Sequence, residues 1–215
     1  KTVYKLASNE NIFGPSPKVI KVIKDSLDEL NYYPDSYNRD LREKFEKKTG
    51  IKRDCFIFGN GTDQIIEMVC DAILWKGKNI VIPDPTFLTY ERSALKNNAD
   101  IIKIPLKDFK QDVYAIVKAV NKNTGIVFLT SPHNPTGTIL NADEIKYVIE
   151  NIDSKVLVVL DEAYIEFVKK EDRFDSYKFI GNYKNFMVMR TFSKIYGLAG
   201  LRIGYAVADK KVVKS

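Results

Sequence analysis

From residue 55 onward the chain alternates short apolar runs with amphipathic segments, and this alternation restricts the fold more than any other feature. The runs are rich in valine, isoleucine and phenylalanine, residues that suit a pleated sheet buried on both faces. Candidate strands are Cys55 to Phe58, Asn79 to Ile82, Asp100 to Ile104, Gly125 to Thr130, Val156 to Leu160, Phe186 to Met189 and Arg202 to Ala208. Helical patterns fall between them at about 62–75, 86–97, 112–121 and 142–151. Strands joined through helices lie side by side in parallel, so the pattern predicts an α/β three-layer sandwich around a mostly parallel seven-stranded sheet. The earlier residues read differently: an irregular start through Gly14-Pro15, a helix from about Lys18 to Leu30, a break at Asn31-Tyr32-Tyr33-Pro34-Asp35, and a second helix from about Arg39 to Thr49.

Composition excludes several classes of function. The chain has 34 Lys and Arg against 28 Asp and Glu, but the lysines are scattered over polar positions and no basic block is interleaved with aromatics. A solvated lysine-rich surface therefore accounts for the positive charge, and nucleic-acid binding does not. No apolar run approaches the roughly 20 residues a membrane helix needs, so the expectation is a cytoplasmic protein without membrane contact. Cys55 and Cys70 stand apart from each other and from the single histidine, which implies neither a disulfide framework nor a metal site. Arginine is scarce, and this draws attention to Arg190 and Arg202, which bracket Lys194 in an otherwise apolar stretch.

Open α/β sheets gather ligands beyond the carboxyl ends of their strands, so the polar residues that follow each apolar run are the candidates for chemistry. Gly59-Asn60-Gly61-Thr62-Asp63 leads into a helix, and the backbone N–H groups of Gly61, Thr62 and Asp63 could face an anion. Read alone, this is equally an ordinary helix cap. Phe87 stands at a loop-to-helix corner, either to stack on a flat ring or to fill the core. In Ser131-Pro132-His133-Asn134-Pro135-Thr136-Gly137, two prolines hold the backbone around Asn134 and aim its amide, while His133 has no partner for base catalysis and reads as structural. Asp161 closes the most hydrophobic strand, where a carboxylate is costly unless it meets a cation or a strong donor. Tyr164 follows within reach of the same ligand. Lys194 sits between a strand and a loop bent at Gly197 and Gly200. A lysine in a partly dry pocket is a usable amine nucleophile toward carbonyl compounds. Taken by itself it is also one surface lysine among many, and Tyr33 is a turn aromatic covering the core.

In combination, Asn134 within Asn-Pro-Thr-Gly, Asp161 with Tyr164, and Ser193-Lys194 followed by Arg202 resemble the fold-type I pyridoxal-phosphate aminotransferases. Within that group, Ser8-Asn9-Glu10-Asn11, Tyr33-Pro34-Asp35, Gly59-Asn60-Gly61-Thr62-Asp63, Asp161-Glu162-Ala163-Tyr164-Ile165-Glu166-Phe167 and Arg190-Thr191-Phe192-Ser193-Lys194 look most like the histidinol-phosphate aminotransferase family. The likeness covers nearly the whole chain.

The resemblance implies roles for these residues with pyridoxal 5'-phosphate as cofactor. Lys194 would carry the cofactor covalently and then move a proton at the substrate α-carbon. Asp161 would keep the pyridine nitrogen protonated, Asn134 and Tyr164 would hydrogen-bond the ring's phenolic oxygen, and Phe87 would stack on the ring. Gly61, Thr62 and Asp63, with Ser193 and Arg202, would hold the phosphate. Tyr33 would reach that phosphate from a partner subunit, implying a homodimer, and Asn9 would lie near the substrate. It further implies residues 1–35 as an N-terminal arm with the start of a dimer-contact segment, and 36–215 as a large cofactor-binding domain. In the family a small C-terminal domain follows, carrying the arginine that grips the substrate's acid group. The chain ends at Ser215 before it, and is read as C-terminally truncated.

The implied activity is transfer of an amino group from histidinol phosphate to 2-oxoglutarate in histidine biosynthesis. Threonine-phosphate decarboxylation and aromatic amino-acid transamination would use the same cofactor residues. A non-catalytic ligand-sensing module of this fold would carry an N-terminal helix-turn-helix, and the Asn9 and Gly14-Pro15 loop stands there instead.

Overall fold

The computed structural model describes residue 5 and residues 7–214. An N-terminal loop is followed by α1 (Pro17–Asp25), which Ser16 caps by accepting from the Val19 N–H, with Pro17 in the first turn, where a missing N–H costs nothing. The helix is shorter than the pattern to Leu30 predicts. The Ser26 backbone N–H and hydroxyl both bond back to carbonyls of the last turn, the hydroxyl to Val22 at 2.8 Å, and a separate 3-10 turn covers Leu27–Glu29. Helix α2 (Arg39–Thr49) ends at Gly50 in the left-handed conformation, φ +75°.

The remaining elements alternate as the apolar runs require: β1 (Phe56–Asn60), α3 (Gly61–Ile73), β2 (Asn79–Asp84), α4 (Leu88–Lys96), β3 (Asp100–Pro105), α5 (Val113–Ala119), β4 (Thr124–Thr130), α6 (Ala142–Glu150), β5 (Leu157–Asp161), β6 (Phe186–Thr191), β7 (Ile203–Ala208) and α7 (Lys210–Val213). The strands form one seven-stranded sheet in the order β1-β7-β6-β5-β4-β2-β3. Pairing is parallel from β3 through β6, and β7 runs antiparallel to both β6 and β1. Direction is the one feature of β7 that an apolar run does not encode. A return through the tight Lys194 to Arg202 segment, in place of a crossover helix, sets it.

Because side chains alternate across a strand, each strand feeds two cores. Leu157 and Val159 of β5, Met187 and Met189 of β6, and Ile126 and Phe128 of β4 pack with α3 and α4 on one face. Val158 and Leu160, Phe186 and Val188, and Val127 and Leu129 pack with α5 and α6 on the other. Strands β4 and β5 are buried at every position, as continuous apolar runs in a doubly covered sheet demand. Among the described residues no helix is long and apolar enough to cross a membrane.

Candidate active site

The alternation that fills the cores also aims the strand ends. Thr130, Asp161 and Thr191 close β4, β5 and β6 in phase with Phe128, Val159 and Met189, so they emerge on the α3/α4 face. All three line a cavity of about 580 Å³. Its floor is Asp161, 3% exposed. The Asp161 Oδ1 accepts from the Ala163 N–H at 3.0 Å, and its Oδ2 accepts from the Tyr90 hydroxyl at 2.7 Å. Burial pushes the Asp161 carboxyl up to about 6. The Tyr90 and Ala163 hydrogen bonds oppose that rise, nearby Asp63 adds to it, and Lys194 opposes it.

One corner of the cavity gathers a helix N-terminus, a hydroxyl and a guanidinium. Thr62 and Asp63 lie in the first turn of α3, whose N–H groups have no partner within the helix. Ser193 is buried, its N–H held by Thr191 Oγ1 at 3.0 Å, and its hydroxyl lies 3.3 Å from Arg202 Nη1. The Arg202 Nη2 donates to Asp63 Oδ2 at 3.0 Å, so one carboxylate already balances this cation. Gly61 makes the packing possible: at φ +72° it suits glycine, and a Cβ there would collide with the Arg202 guanidinium. Gly61 is buried behind this corner; the cavity is lined by Thr62 and Asp63.

Lys194 faces the cavity half-buried, on the loop after β6. Its ammonium donates to the Ser8 carbonyl at 2.7 Å and sits 5.5 Å from the centre of the Tyr164 ring. The N-terminal loop therefore lies across the lysine. Asn9 donates from Nδ2 to the Tyr164 hydroxyl at 3.0 Å, and Asn11 donates to the Ile195 carbonyl at 2.8 Å. Gly197, at φ +67°, lets this loop approach, since a Cβ there would strike the Gly14 backbone. Phe87 and Asn134 line the same cavity.

The structure thus brings Asn9, Thr62, Asp63, Phe87 and Asn134 into one cavity with Asp161, Tyr164, Ser193, Lys194 and Arg202. Tyr33 is not among them: it is fully exposed and lines no part of the cavity. His133 is 2% exposed and its Nδ1 lies 2.9 Å from Thr136 Oγ1, closing the turn that carries Asn134. Burial lowers its pKa, so it stands there as a neutral imidazole.

Sequence reasoning overlooked Tyr90, whose hydroxyl reaches the floor from α4. It stands three residues after Phe87, a spacing that places both rings on one side of a starting helix, and that was the available signal. The pairing of Arg190 with Glu162 was missed as well. The Arg190 Nε and Nη2 reach Glu162 Oε2 at 2.8 and 2.7 Å on the opposite face of the sheet.

The seven-stranded order and the lysine and carboxylate at adjacent strand ends define a class, and comparison with known proteins gives the same one. Residues 1–215 match the family Aminotransferase class I and II, and the chain belongs to that family. More narrowly, it is 42% identical over 215 residues to the histidinol-phosphate aminotransferase of Anoxybacillus flavithermus (strain DSM 21510 / WK1), covering 100% of this chain and 58% of that relative. Among solved structures, the histidinol-phosphate aminotransferase from Sinorhizobium meliloti in complex with pyridoxal-5'-phosphate superposes with a TM-score of 0.92 at 27% identity, over 96% of this chain and 56% of that one. The L-threonine-O-3-phosphate decarboxylase from Porphyromonas gingivalis superposes with a TM-score of 0.84 at 25% identity, over 96% of this chain and 60% of that one. The chain therefore spans somewhat more than half the length of the relatives it matches.

Proposed function

We propose that this chain forms the cofactor-binding part of a pyridoxal-phosphate-dependent aminotransferase that moves the amino group of histidinol phosphate to 2-oxoglutarate. One observation carries the reading: an amine (Lys194), a buried carboxylate (Asp161) and an anion corner (Thr62, Ser193, Arg202) line one cavity, whose wall includes an aromatic ring (Phe87). A flat, phosphorylated pyridine aldehyde asks for this donor set. The buried carboxylate suits a ring N–H⁺, the helix N-terminus and guanidinium suit a phosphate, and the primary amine suits a carbonyl carbon.

When bound, the cofactor supplies an electron-withdrawing ring that stabilises negative charge at the substrate α-carbon. The protein's residues do the rest. Asp161 holds the proton on the ring nitrogen from its dry floor, where a charge pair is worth more than in water. Tyr164 and Asn134 would hydrogen-bond the cofactor's phenolic oxygen, and Phe87 would supply an aromatic wall for its ring. Thr62, Ser193 and Arg202 anchor the phosphate. Lys194, released from the Ser8 carbonyl and as the neutral amine, would take the proton from the α-carbon as general base and, as the resulting ammonium, return it as general acid. The N-terminal loop lies beside this amine, Ser8 accepting from it and Asn9 donating to the Tyr164 hydroxyl.

The same reading has the site shared between two copies of the protein, with Tyr33 reaching the partner's phosphate corner. The exposure of Phe13, Leu30, Tyr32 and Tyr33 along the N-terminal segment supports it. The substrate assignment rests on the 42% identity to a histidinol-phosphate aminotransferase. Two measurements test the proposal. Borohydride reduction of the cofactor-loaded protein followed by peptide mapping should find the pyridoxyl group on Lys194, and a label that persists in Lys194→Ala would remove this lysine from the reaction. Steady-state assays should show keto-acid exchange with histidinol phosphate, whereas carbon dioxide released from threonine phosphate without such exchange would replace transamination by decarboxylation.

A further inference from the structure

Tyr90 is fully buried in the core between α4 and the sheet, its ring stacked on Phe128 at 4.4 Å and edge-on to Phe87 at 5.7 Å. A phenylalanine would make the same ring contacts. What the tyrosine adds is a hydroxyl placed 2.7 Å from Asp161 Oδ2 and 3.2 Å from Thr130 Oγ1. A buried phenol is costly unless it meets a strong acceptor, and an ionised carboxylate is the strongest acceptor within reach. Burial and the Asp161 charge both drive the Tyr90 phenol well above its ordinary pKa, so it remains the proton donor of the pair throughout the working range.

We propose that Tyr90 is a positioning residue for the site: its hydroxyl bond to Oδ2, set against the Ala163 N–H on Oδ1, fixes the Asp161 carboxylate in place and steadies its negative charge for a cationic ring nitrogen. The proposal deepens the pyridoxal-phosphate reading and rests on it for the identity of that cation. The link between Tyr90 and Asp161 stands on the geometry of the chain alone. Each carboxylate oxygen keeps a lone pair beyond its protein donor, so the two bonds orient the group without consuming its capacity to bind a ligand. Charged and titratable groups facing Asp161 come from three other places. Asp63 on α3 opposes ionisation, Lys194 on the loop after β6 favours it, and Tyr164 follows on the same loop as Ala163. Tyr90 is the side chain that donates a hydrogen bond to this carboxylate. Its contact with Phe87 extends the arrangement, since one corner of α4 then supplies both the wall and the floor support.

The test compares wild type with Tyr90→Phe, reading the Asp161 carboxyl by carbon-13 NMR in the cofactor-free protein and assigning it by its disappearance in Asp161→Asn. Loss of a hydrogen bond to a charged acceptor should raise the Asp161 midpoint above its value of about 6 by about 1–2 pH units. In the loaded protein, kcat should fall roughly 10-fold with KM little changed. An Asp161 midpoint equal to that of wild type would overturn the proposal. If Tyr90→Phe fails to fold, 3-fluorotyrosine at position 90 keeps the ring and makes the phenol a stronger donor. The Asp161 midpoint should then fall, and an unchanged or raised midpoint would again refute the role. Borohydride labelling of Lys194 in the same proteins separates the two claims. An unlabelled wild type counts against the cofactor reading, while the Asp161 titration, made without cofactor, still decides the role of Tyr90.

Discussion

Asp161 and Glu162 are neighbours in sequence, both almost fully buried, and they meet opposite treatment. The alternation of β5 sends Asp161 to the α3/α4 face and Glu162 to the other. There Glu162 finds a complete partner: the Arg190 guanidinium bonds its Oε2 twice and lies 4.2 Å from the centre of the Tyr177 ring, whose hydroxyl is 3.0 Å from that of Tyr205. Burial pushes the Glu162 carboxyl up, and the Arg190 charge opposes it. Asp161 has only neutral donors in hydrogen-bond contact, with the Lys194 ammonium further off and an Asp63 carboxylate nearby. One face satisfies its acid inside the chain. The other leaves its acid with neutral donors alone beside a cavity.

The contrast can be broken most forcefully on the closed face. Arg190→Met bares Glu162 in a pocket where it is 1% exposed, and should lower unfolding stability by about 3–5 kcal/mol in urea titrations. Adding Glu162→Gln should restore much of that loss, because the cost lies in the bared charge more than in the missing bond. A loss below about 1 kcal/mol would mean that the pair behaves like a solvated surface bridge. The open face should fail differently. Asp161→Asn keeps the shape but cannot hold a proton on a cationic ring, and turnover by the loaded protein should drop on the order of 10²–10³-fold, a loss of about 3–4 kcal/mol in transition-state stabilisation. Unchanged turnover would take Asp161 out of the reaction.

Much of this arrangement was legible before any coordinates. The β-branched runs predicted all seven strands, since a doubly covered strand cannot hide its apolar composition, and boundaries moved only by a residue or two where polar ends such as Asp161 and Thr191 continue the ladder. The polar residues beyond those ends then marked Asn134, Asp161 and Lys194. What stayed hidden depends on direction and partner choice. The antiparallel course of β7 carries no compositional trace. Phe87 and Tyr90 offer two aromatics at one corner, and only packing against Phe128 decides which one reaches the floor. The scarcity of arginine drew attention to Arg190 without saying that it turns its back on Lys194, because a one-residue step along β6 moves a side chain to the other face. Tyr33 lies wholly outside the cavity of its own chain, and no periodicity within one chain can place it against a second copy.

The smallest effect is the pH dependence of stability that Asp161 contributes. Asp161 titrates near 6 in the folded chain against an ordinary value of 3.8, so between these values the native state holds a proton that the unfolded state has released. Stability therefore falls as pH rises through that window: the penalty is absent below about pH 4 and complete above about pH 6, amounting to about 2–3 kcal/mol. Asp161→Asn removes it. The cofactor-free variant should match wild type near pH 4 and be the more stable protein at pH 7, read from urea midpoints at each pH. Exposed carboxyls held below their ordinary values, such as Asp35, Glu43 and Asp71, shift the pH profile the other way but are common to both proteins and cancel in the difference. Adding pyridoxal phosphate should then stabilise wild type more than Asp161→Asn, because only the aspartate gains the cation it lacks. A variant no more stable than wild type at pH 7 without cofactor would mean that Asp161 already has its cation inside the chain, and the two faces would no longer differ.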